Sequence, residues 1–320
     1  MSAARNRRQR PENQRAILVK RLATLIAIAA MAIGCAGITA NPAHAGPEYN
    51  FFHFNVCGNR CEDGEATFDH DTDPVKAIYN SLTENQNERA ASLVELCKNQ
   101  FDRLMNELPA EWEGSFVVTA WANNPPGGEE EYPSDLCHPE GGTEHNFGNA
   151  ILVRDAPIVA GSREVRRLGD PQPSNEHRAI ICVTADLANS PDSRFCSTHI
   201  WNEAPSTQIS EVAQLVDGFA RPVVLMGDFN VEPDHDALDD IHPGFLLDGG
   251  ATGRFEEVDQ DTPCSSNTNP LCRGGAYTAG TKKIDYIFFS RVDFNHISGF
   301  PTDPITDSDH KILRGRVEAV

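Results

Sequence analysis

Two short motifs place side chains that could hydrolyse a phosphate ester at the ends of predicted strands. Gly227-Asp228-Phe229-Asn230 directly follows the apolar run 222–226, and Ser308-Asp309-His310 lies near the C-terminus. Such hydrolysis uses a divalent cation held by carboxylate and amide oxygens, a base for the attacking water, and a donor that stabilises the departing oxygen. The two motifs supply a carboxylate, an amide, and an imidazole with a second carboxylate beside it. They therefore predict this chemistry if other segments supply the remaining groups.

Four further polar residues lie within or at the end of predicted strands. They are Asn55, Glu95, His199 and Asp285. A carboxylate in a buried strand is costly unless it is paired or binds a cation. For Glu95, an ion pair or a solvent-facing position explains the residue equally well, and a single histidine at a strand end is more often structural than catalytic. The joint occurrence of these residues at strand ends is what favours a functional site.

Short apolar runs bounded by Gly, Pro and Asn alternate with polar loops, and this pattern predicts a chain rich in strands. The predicted strands are Phe51–Val56, Ser92–Leu96, Phe116–Trp121, Asn149–Arg154, Ala179–Ala185, Arg194–Ile200, Val223–Met226, Ile284–Phe289 and Lys311–Val317. Helices are predicted at Pro74–Glu84, Asn99–Glu107 and Ser206–Phe219. The glycine-rich stretches Asn123–Asn146 and Gly249–Gly275 are predicted to be loops over the strand ends, where substrate is selected.

Residues 1–45 are predicted to be a secretory signal peptide. Basic residues between Arg5 and Arg21 precede the apolar stretch Leu22–Ala40, and Ala43-His44-Ala45 has the small-x-small form of a cleavage site. A retained membrane anchor is the alternative, and a loose lipoprotein box at Ala32–Cys35 makes lipid attachment at Cys35 a minor alternative. Residues 46–320 are predicted to form a single secreted domain with no stable membrane insertion.

The chain is acidic, with a formal net charge of −20. Residues 1–45 carry seven basic side chains and one acidic one, so their removal changes the charge to about −26. Such a surface repels polyanions at low salt, and a nucleic-acid or phospholipid substrate would need a bound cation or a local basic cluster. Arg163, Arg166 and Arg167 form one group of cations, and Lys282 and Lys283 precede Asp285.

The cysteine pattern predicts disulfides. Of nine cysteines, Cys35 is lost with the signal peptide, and an even number in an exported chain indicates pairing. Cys57–Cys61 would close a short loop, Cys182–Cys196 would join neighbouring antiparallel strands, and Cys264–Cys272 would staple a polar loop. This leaves Cys97 with Cys137. No Cys/His spacing in the sequence resembles a zinc site.

The chain resembles the endonuclease/exonuclease/phosphatase superfamily, which includes deoxyribonuclease I. The resemblance rests on Met226–Asn230, Lys283–Ile287 and Ser308–His310, with support from Phe147–Leu152 and Ser197–His199. It implies an α/β fold, a four-layer sandwich in which two packed mixed β-sheets are flanked by helices. It also implies an active site at one edge of the sandwich.

The resemblance implies a metal site. Asn55 and Glu95 would hold Mg²⁺, with Mn²⁺ or Ca²⁺ as alternatives, and Asp309 would be a further carboxylate of this site. The family usually has Gln before this Glu, whereas Val94 precedes it here. Arg154 occupies a place where some relatives have an arginine that contacts the phosphate.

The resemblance also implies catalytic roles for the remaining residues. Asp228 and Asn230 would orient the attacking water and contact the phosphate. His310 would be the general base or would polarise the phosphate. Asp285 would buttress a histidine, and His199 would bind the phosphate or assist the leaving group.

Three functions are compatible with these residues. The first is a secreted, monomeric, metal-dependent nuclease that cleaves DNA with low sequence specificity. The second is a phosphatase or phospholipase C-type enzyme that uses the same site on sphingomyelin or an inositol phosphate. The third is a non-catalytic binding protein, and it is disfavoured because an unused site would leave its buried charges uncompensated.

Overall fold

The structure is a computed structural model of the whole chain. It describes residues 46–57, 74–84, 87–120, 137, 146–169, 176–188, 190–220, 222–242, 253–260, 273–303, 306 and 308–320. All of them belong to one compact unit, Gly46–Val320. The predicted signal peptide and most of the two predicted long loops lie outside the described residues.

Twelve described strands form two six-stranded mixed sheets. The first sheet has the order β11-β12-β1-β2-β4-β3. Its strands are β1 (Glu48–Asn55), β2 (Glu88–Cys97), β3 (Trp112–Ala120), β4 (Phe147–Arg154), β11 (Phe294–Thr302) and β12 (Ile312–Ala319). Strands β1 and β2 are parallel, whereas the other neighbours in this sheet are antiparallel.

The second sheet has the order β5-β6-β7-β8-β10-β9. Its strands are β5 (Glu164–Arg167), β6 (Ala179–Leu187), β7 (Ser190–His199), β8 (Val223–Asp228), β9 (Phe255–Glu257) and β10 (Asp285–Ser290). Here β7 and β8 form the parallel pair. Each sheet therefore contains one parallel pair whose connection requires a crossover.

Helices make those crossovers and cover the outer face of each sheet. The helices are α1 (Pro74–Glu84), α2 (Lys98–Glu107) and α3 (Pro205–Asp217), and a 3₁₀ helix spans Asp236–Asp240. One apolar cluster includes Phe51 of the first sheet and Phe195 of the second, and it lies between the sheets. Separate clusters lie under α1 and α2 and under α3. The predicted four-layer sandwich is therefore confirmed.

The elements that the sequence analysis did not predict are short or atypical. They are β5, β9, β11 and the 3₁₀ helix. Strand β11 contains Gly299 and Pro301, and its residues are mostly half-buried, so it lacks the apolar run of a central strand. These strands form because a neighbouring strand offers a hydrogen-bonding edge, which the local sequence does not reveal.

Two predicted disulfides are present in the structure, Cys97–Cys137 and Cys182–Cys196. Cys182 and Cys196 are paired residues of the antiparallel strands β6 and β7. Cys57 is also disulfide-bonded, whereas its predicted partner Cys61 lies outside the described residues. The predicted pair Cys264–Cys272 lies outside them as well. No helix in the described part of the chain has the length and hydrophobicity to cross a membrane.

Candidate active site

The strand order brings the predicted polar residues to one edge of the sandwich. In the second sheet, Asp228 at the end of β8 is paired with His199 of β7 and with Asp285 at the start of β10. In the first sheet, β1 ends at Asn55, and the segment leading into β12 contains His310. Because the two sheets pack face to face, residues from the ends of five strands converge there.

The backbone of the Gly-Asp-Phe-Asn motif is shaped to present its two polar side chains. A Cβ atom on Gly227 would lie 2.3 Å from the carbonyl oxygen of Thr198, so this position requires glycine. Phe229 is fully buried and makes edge-on ring contacts with Tyr286 and Phe288. This packing holds Asp228 and Asn230 on either side of it at the site.

Asn230 follows in the left-handed region, with φ of 52°. Its backbone N–H donates to Asp228 Oδ1 at 2.9 Å, and its Nδ2 donates to the carbonyl oxygen of Ile200 at 2.9 Å. The same Nδ2 lies 3.2 Å from His199 Nε2. A non-glycine residue at positive φ is strained, and such residues are concentrated at functional sites.

Glu95 reaches the site because β2 is irregular at this residue. The register between β2 and β4 shifts between Leu93 and Leu96, and Glu95 has φ of 56°. A bulge of this kind re-aims a side chain that regular alternation would direct elsewhere. It places the carboxylate of Glu95 beside Asn55 at the sandwich edge.

Glu95 and Asp228 offer carboxylate oxygens suited to a divalent cation, and the Asn55 amide lies between them with its Nδ2 facing both. Asn55 Nδ2 donates to Glu95 Oε1 and to Asp228 Oδ2, both at 3.1 Å. Burial, with the nearby charge of Glu176, raises the pKa of Glu95 to about 7. Burial, with the charge of Asp285, raises the pKa of Asp228 to about 6. The raised pKa values mean that the negative charge of these two carboxylates is poorly compensated. A divalent cation would compensate it, and carboxylate oxygens are the ligands that Mg²⁺ or a similar ion prefers.

Asp228, Asp285 and His310 also offer ligand atoms that lie within 4.8 Å of one another. Both oxygens of Asp285, however, already face histidines. Oδ2 lies 2.8 Å from His310 Nδ1, and Oδ1 lies 3.1 Å from His53 Nε2. We therefore place the cation on the Asn55, Glu95 and Asp228 side, with Asp285 serving the imidazoles.

His310 is held by its backbone and by Asp285. Ser308 Oγ accepts from the His310 N–H at 3.1 Å and donates to the carbonyl oxygen of Asn55 at 2.8 Å, which ties this turn to β1. Burial opposes protonation of the ring, but the charge and hydrogen bond of Asp285 outweigh it and raise the pKa of His310 to about 10. Burial likewise disfavours the Asp285 anion, but His310 and His53 hold the pKa of this carboxyl well below its usual range.

His199 is held by a cation rather than by a carboxylate. Arg178 Nη1 lies 2.5 Å from His199 Nδ1 and donates at 2.9 Å to Glu176 Oε1. Arginine has no acceptor, so His199 Nδ1 accepts and Nε2 carries the hydrogen of the neutral ring; the nearby Asn230 Nδ2 is also a donor and makes no hydrogen bond with Nε2. Burial, followed by the charge of Arg178, lowers the pKa of His199 well below its usual value. Its Nε2 lies 3.5 Å from Asp228 Oδ2 and faces the site.

Some predicted residues lie outside this group. Asp309 is exposed, and it acts on the site as one of the negative charges that raise the pKa of His310. Arg154 pairs with Glu111 at 3.2 Å, at the end of β4 opposite to the end beside Glu95. Lys283 points into the core, where its Nζ lies 3.0 Å from Asp259 and 3.3 Å from Glu257. Lys283 therefore does not offer a cation to a substrate at the surface.

The sequence analysis missed three residues of the site: His53, Glu176 and Arg178. His53 lies two positions before Asn55, so strand alternation places both on the same face of β1. Glu176 and Arg178 directly precede β6, whose antiparallel partner β7 ends at His199. Both signals were readable, because charged residues next to a buried strand at the same sheet edge are expected to meet.

Comparison with known proteins agrees with this geometry. The sequence model of the endonuclease/exonuclease/phosphatase family matches residues 52–310. The chain belongs to this family. No curated protein matches it closely enough to count as a relative.

Solved structures share the fold of this family member. The human Nocturnin catalytic domain has a TM-score of 0.59 and 18% identity, with 86% of this chain and 94% of that chain covered. A mannosyl-6-phosphatase of Bacteroides thetaiotaomicron has a TM-score of 0.53 and 14% identity, with 85% of this chain and 99% of that chain covered. The 2′,3′-cyclic phosphatase ANGEL2, solved with adenosine-2′,3′-vanadate, has a TM-score of 0.53 and 13% identity, with 86% of this chain and 96% of that chain covered.

The family member is therefore a phosphoester hydrolase with ligands for a metal ion. When bound, a divalent cation would offset the charge that develops on the phosphoryl oxygens. His199 Nε2–H is a donor that can stabilise a phosphoryl or leaving-group oxygen. His310 is held at Nδ1, so its Nε2 faces Asp228 Oδ2 at 3.8 Å and is the ring nitrogen on the side of the site. A pKa of about 10 favours the protonated His310 ring at neutral pH in the absence of a metal ion. The protonated ring suits the predicted role of polarising the phosphate, whereas the predicted role of general base requires the neutral ring.

Proposed function

We propose that the protein is a secreted, Mg²⁺-dependent nuclease that cleaves DNA phosphodiesters with low sequence specificity. The observation that carries this proposal is a pair of aromatic residues beside the site. Trp201 is half-buried and follows His199 by two positions, and Tyr277 is 56% exposed. Aromatic side chains stack on nucleobases without regard to sequence, whereas a small sugar or inositol phosphate has no aromatic ring to stack on them.

Tyr277 is fixed close to the catalytic residues by its neighbours. Thr278 is buried, and its Oγ1 accepts from the backbone N–H groups of Ile284 and Asp285, both at 3.0 Å. Ala279 forms a backbone bridge with His310. The exposed ring of Tyr277 therefore belongs to the rim of the site.

A local basic group offsets part of the acidic surface. Arg166 and Arg167 are exposed at the end of β5, where they pair with Ile180 and Ala179 of β6. This is the sheet edge at which His199 ends β7. Cations at this edge suit a substrate whose phosphates continue on both sides of the cleaved bond.

The decisive experiment compares substrates with and without nucleobases. Purified residues 46–320 with Mg²⁺ should degrade plasmid DNA, and the His310→Ala and Asp228→Ala variants should not. Tyr277→Ala should weaken binding of DNA by roughly 5- to 150-fold, the range expected for one lost base stack. The same variant should leave KM for an alkyl phosphodiester unchanged.

The matched control is Val292→Ala, because Val292 is similarly exposed at 54% and follows β10 at the end away from Asp285. Hydrolysis of sphingomyelin or inositol phosphates with no action on DNA would contradict the nuclease proposal and support the alternative. Secretion and the monomeric state remain part of the proposal. Finding the precursor with residues 1–45 attached in the cell fraction would contradict secretion.

A further inference from the structure

A buried chain of polar side chains extends from Asp285 into the space between the two sheets. Asp285 is fully buried and faces His310 through Oδ2 and His53 through Oδ1. His53 Nδ1 lies 3.0 Å from Ser92 Oγ, and Ser92 Oγ lies 2.7 Å from Ser197 Oγ. His53, Ser92 and Ser197 are all 0% exposed. The chain thus joins β1 and β2 of one sheet to β7 and β10 of the other.

We propose that His53, with Ser92 and Ser197 behind it, fixes the orientation of the Asp285 carboxylate and through it the ring of His310. His53 is then a positioning residue of the hydrolytic site. This inference rests on phosphoester hydrolysis at the site, and it is independent of which phosphoester is the substrate.

The hydrogen bonds of this chain have a consistent direction. A carboxylate only accepts, so His310 Nδ1 and His53 Nε2 both donate to Asp285. When the His53 ring carries its hydrogen on Nε2 alone, Nδ1 is an acceptor, so Ser92 can donate to it and Ser197 can donate to Ser92. Hydrogen bonds aligned in this way polarise and strengthen one another in a buried environment.

The position of His53 argues against a role in packing alone. Phe51, two residues earlier on the same face of β1, belongs to the apolar cluster between the sheets. An apolar residue at position 53 would continue that cluster, whereas a buried polar ring is costly unless it is hydrogen-bonded. Asp285 supplies the acceptor that makes the histidine useful at this position.

Loss of His53 would leave one oxygen of Asp285 without its donor. The carboxylate could then turn about its last side-chain bond, and the His310 ring would be held less firmly. Partners of this indirect kind typically change activity by roughly 10- to 100-fold when they are removed. We expect His53→Leu to lower kcat by that factor while KM stays unchanged, because the substrate does not touch His53.

The experiment compares three variants of residue 53. His53→Leu removes the donor, and His53→Asn keeps a polar group that is too short to reach Asp285. His53→Gln restores an N–H donor toward Asp285 and an acceptor for Ser92. We expect kcat to fall in the Leu and Asn variants and to recover most of the loss in the Gln variant.

A second measurement does not depend on activity. In the metal-free protein, NMR of ¹⁵N-labelled histidine should show a shifted pKa for the His310 ring in the Leu and Asn variants relative to the wild type and the Gln variant, because the Asp285 carboxylate that faces the ring has lost a donor. If the wild-type protein hydrolyses no phosphoester, the proposed function fails, but this titration still decides the role of His53.

A folded His53→Leu or His53→Asn protein with wild-type kcat and an unchanged His310 titration would overturn the proposal. If His53→Leu does not fold, the Asn and Gln pair decides it on the same two measurements. Ser92→Ala tests the outer part of the chain, and we expect a smaller decrease of kcat because His53 still donates to Asp285.

Discussion

Metal binding at this site should compete with protons. The pKa of Glu95 is about 7 and that of Asp228 is about 6, and in both cases burial is the main cause. A divalent cation binds the ionised carboxylates, so each proton that occupies them must leave first. Affinity for Mg²⁺ should therefore rise with pH up to about pH 7.5 and level off above it.

The size of the effect follows from the two pKa values. Protonation of Asp228 alone would weaken binding about fourfold at pH 5.5 relative to pH 7.5, and protonation of both carboxylates would weaken it about 100-fold. The Glu95 side chain is 27% exposed, and solvent reduces its share of the effect. We therefore expect a decrease between these limits, on the order of 10- to 100-fold.

Isothermal titration calorimetry of Mg²⁺ and Mn²⁺ in buffers with different ionisation enthalpies measures both affinity and proton release. About one proton should be released per ion at pH 6.5, and almost none at pH 8.5. Glu95→Gln should reduce the pH dependence to about fourfold, the part that belongs to Asp228. Glu107→Gln, an exposed carboxylate on α2, is the control and should bind the ion as the wild type does.

Equal affinity at pH 5.5 and pH 7.5 would refute this reasoning. It would mean that the ion binds elsewhere or that Glu95 and Asp228 are ionised throughout this range. An unchanged pH dependence in Glu95→Gln would refute the assignment of Glu95 alone.

Three further predictions concern catalysis and stability. His199→Ala should fold, as checked by circular dichroism, and should lose roughly 100- to 1,000-fold in kcat because its Nε2–H faces the site; normal turnover would contradict this role. Lys283→Met should destabilise the protein by about 3–5 kcal/mol in urea unfolding, because it leaves two buried carboxylates without their cation; a loss below about 1 kcal/mol would contradict this role of Lys283. Replacing both cysteines of Cys97–Cys137 by serine should lower the free energy of unfolding by about 4 kcal/mol in urea unfolding, because this disulfide closes a loop with a sequence separation of 40 residues. The same change at Cys182–Cys196, with a separation of 14 residues, should lower it by about 3 kcal/mol. The reverse order would argue against a loop-entropy origin.

The central strands and the main site residues were predictable because each leaves a local signal. Asp228 ends a strand that begins with four apolar residues, and Asp285 begins a largely apolar one, so both carboxylates are costly in their surroundings. Helices α1, α2 and α3 also lie where the sequence placed them, to within two residues at either end.

The remaining parts depend on contacts between distant segments. The bulge that turns Glu95 toward Asn55 is a property of the pairing between β2 and β4, and the local sequence around Glu95 does not predict it. Lys283 lies two positions before Asp285, and this proximity in sequence predicts a cation near the site. Its direction is set by Glu257 and Asp259, which lie on another strand and the turn that follows it.

The surroundings of the three buried carboxylates assign them different tasks. Asp285 faces two imidazoles, which hold its pKa far below the usual range, so it stays an anion and can orient His310 at any pH at which the protein functions. Asp228 and Glu95 share one amide donor and have raised pKa values, so their negative charge is poorly compensated. Environments that push the pKa values of neighbouring acids apart separate their roles in catalysis. The three carboxylates therefore differ before any substrate binds. Asp285 is hydrogen-bonded to the two histidines, whereas Asp228 and Glu95 are available to a cation.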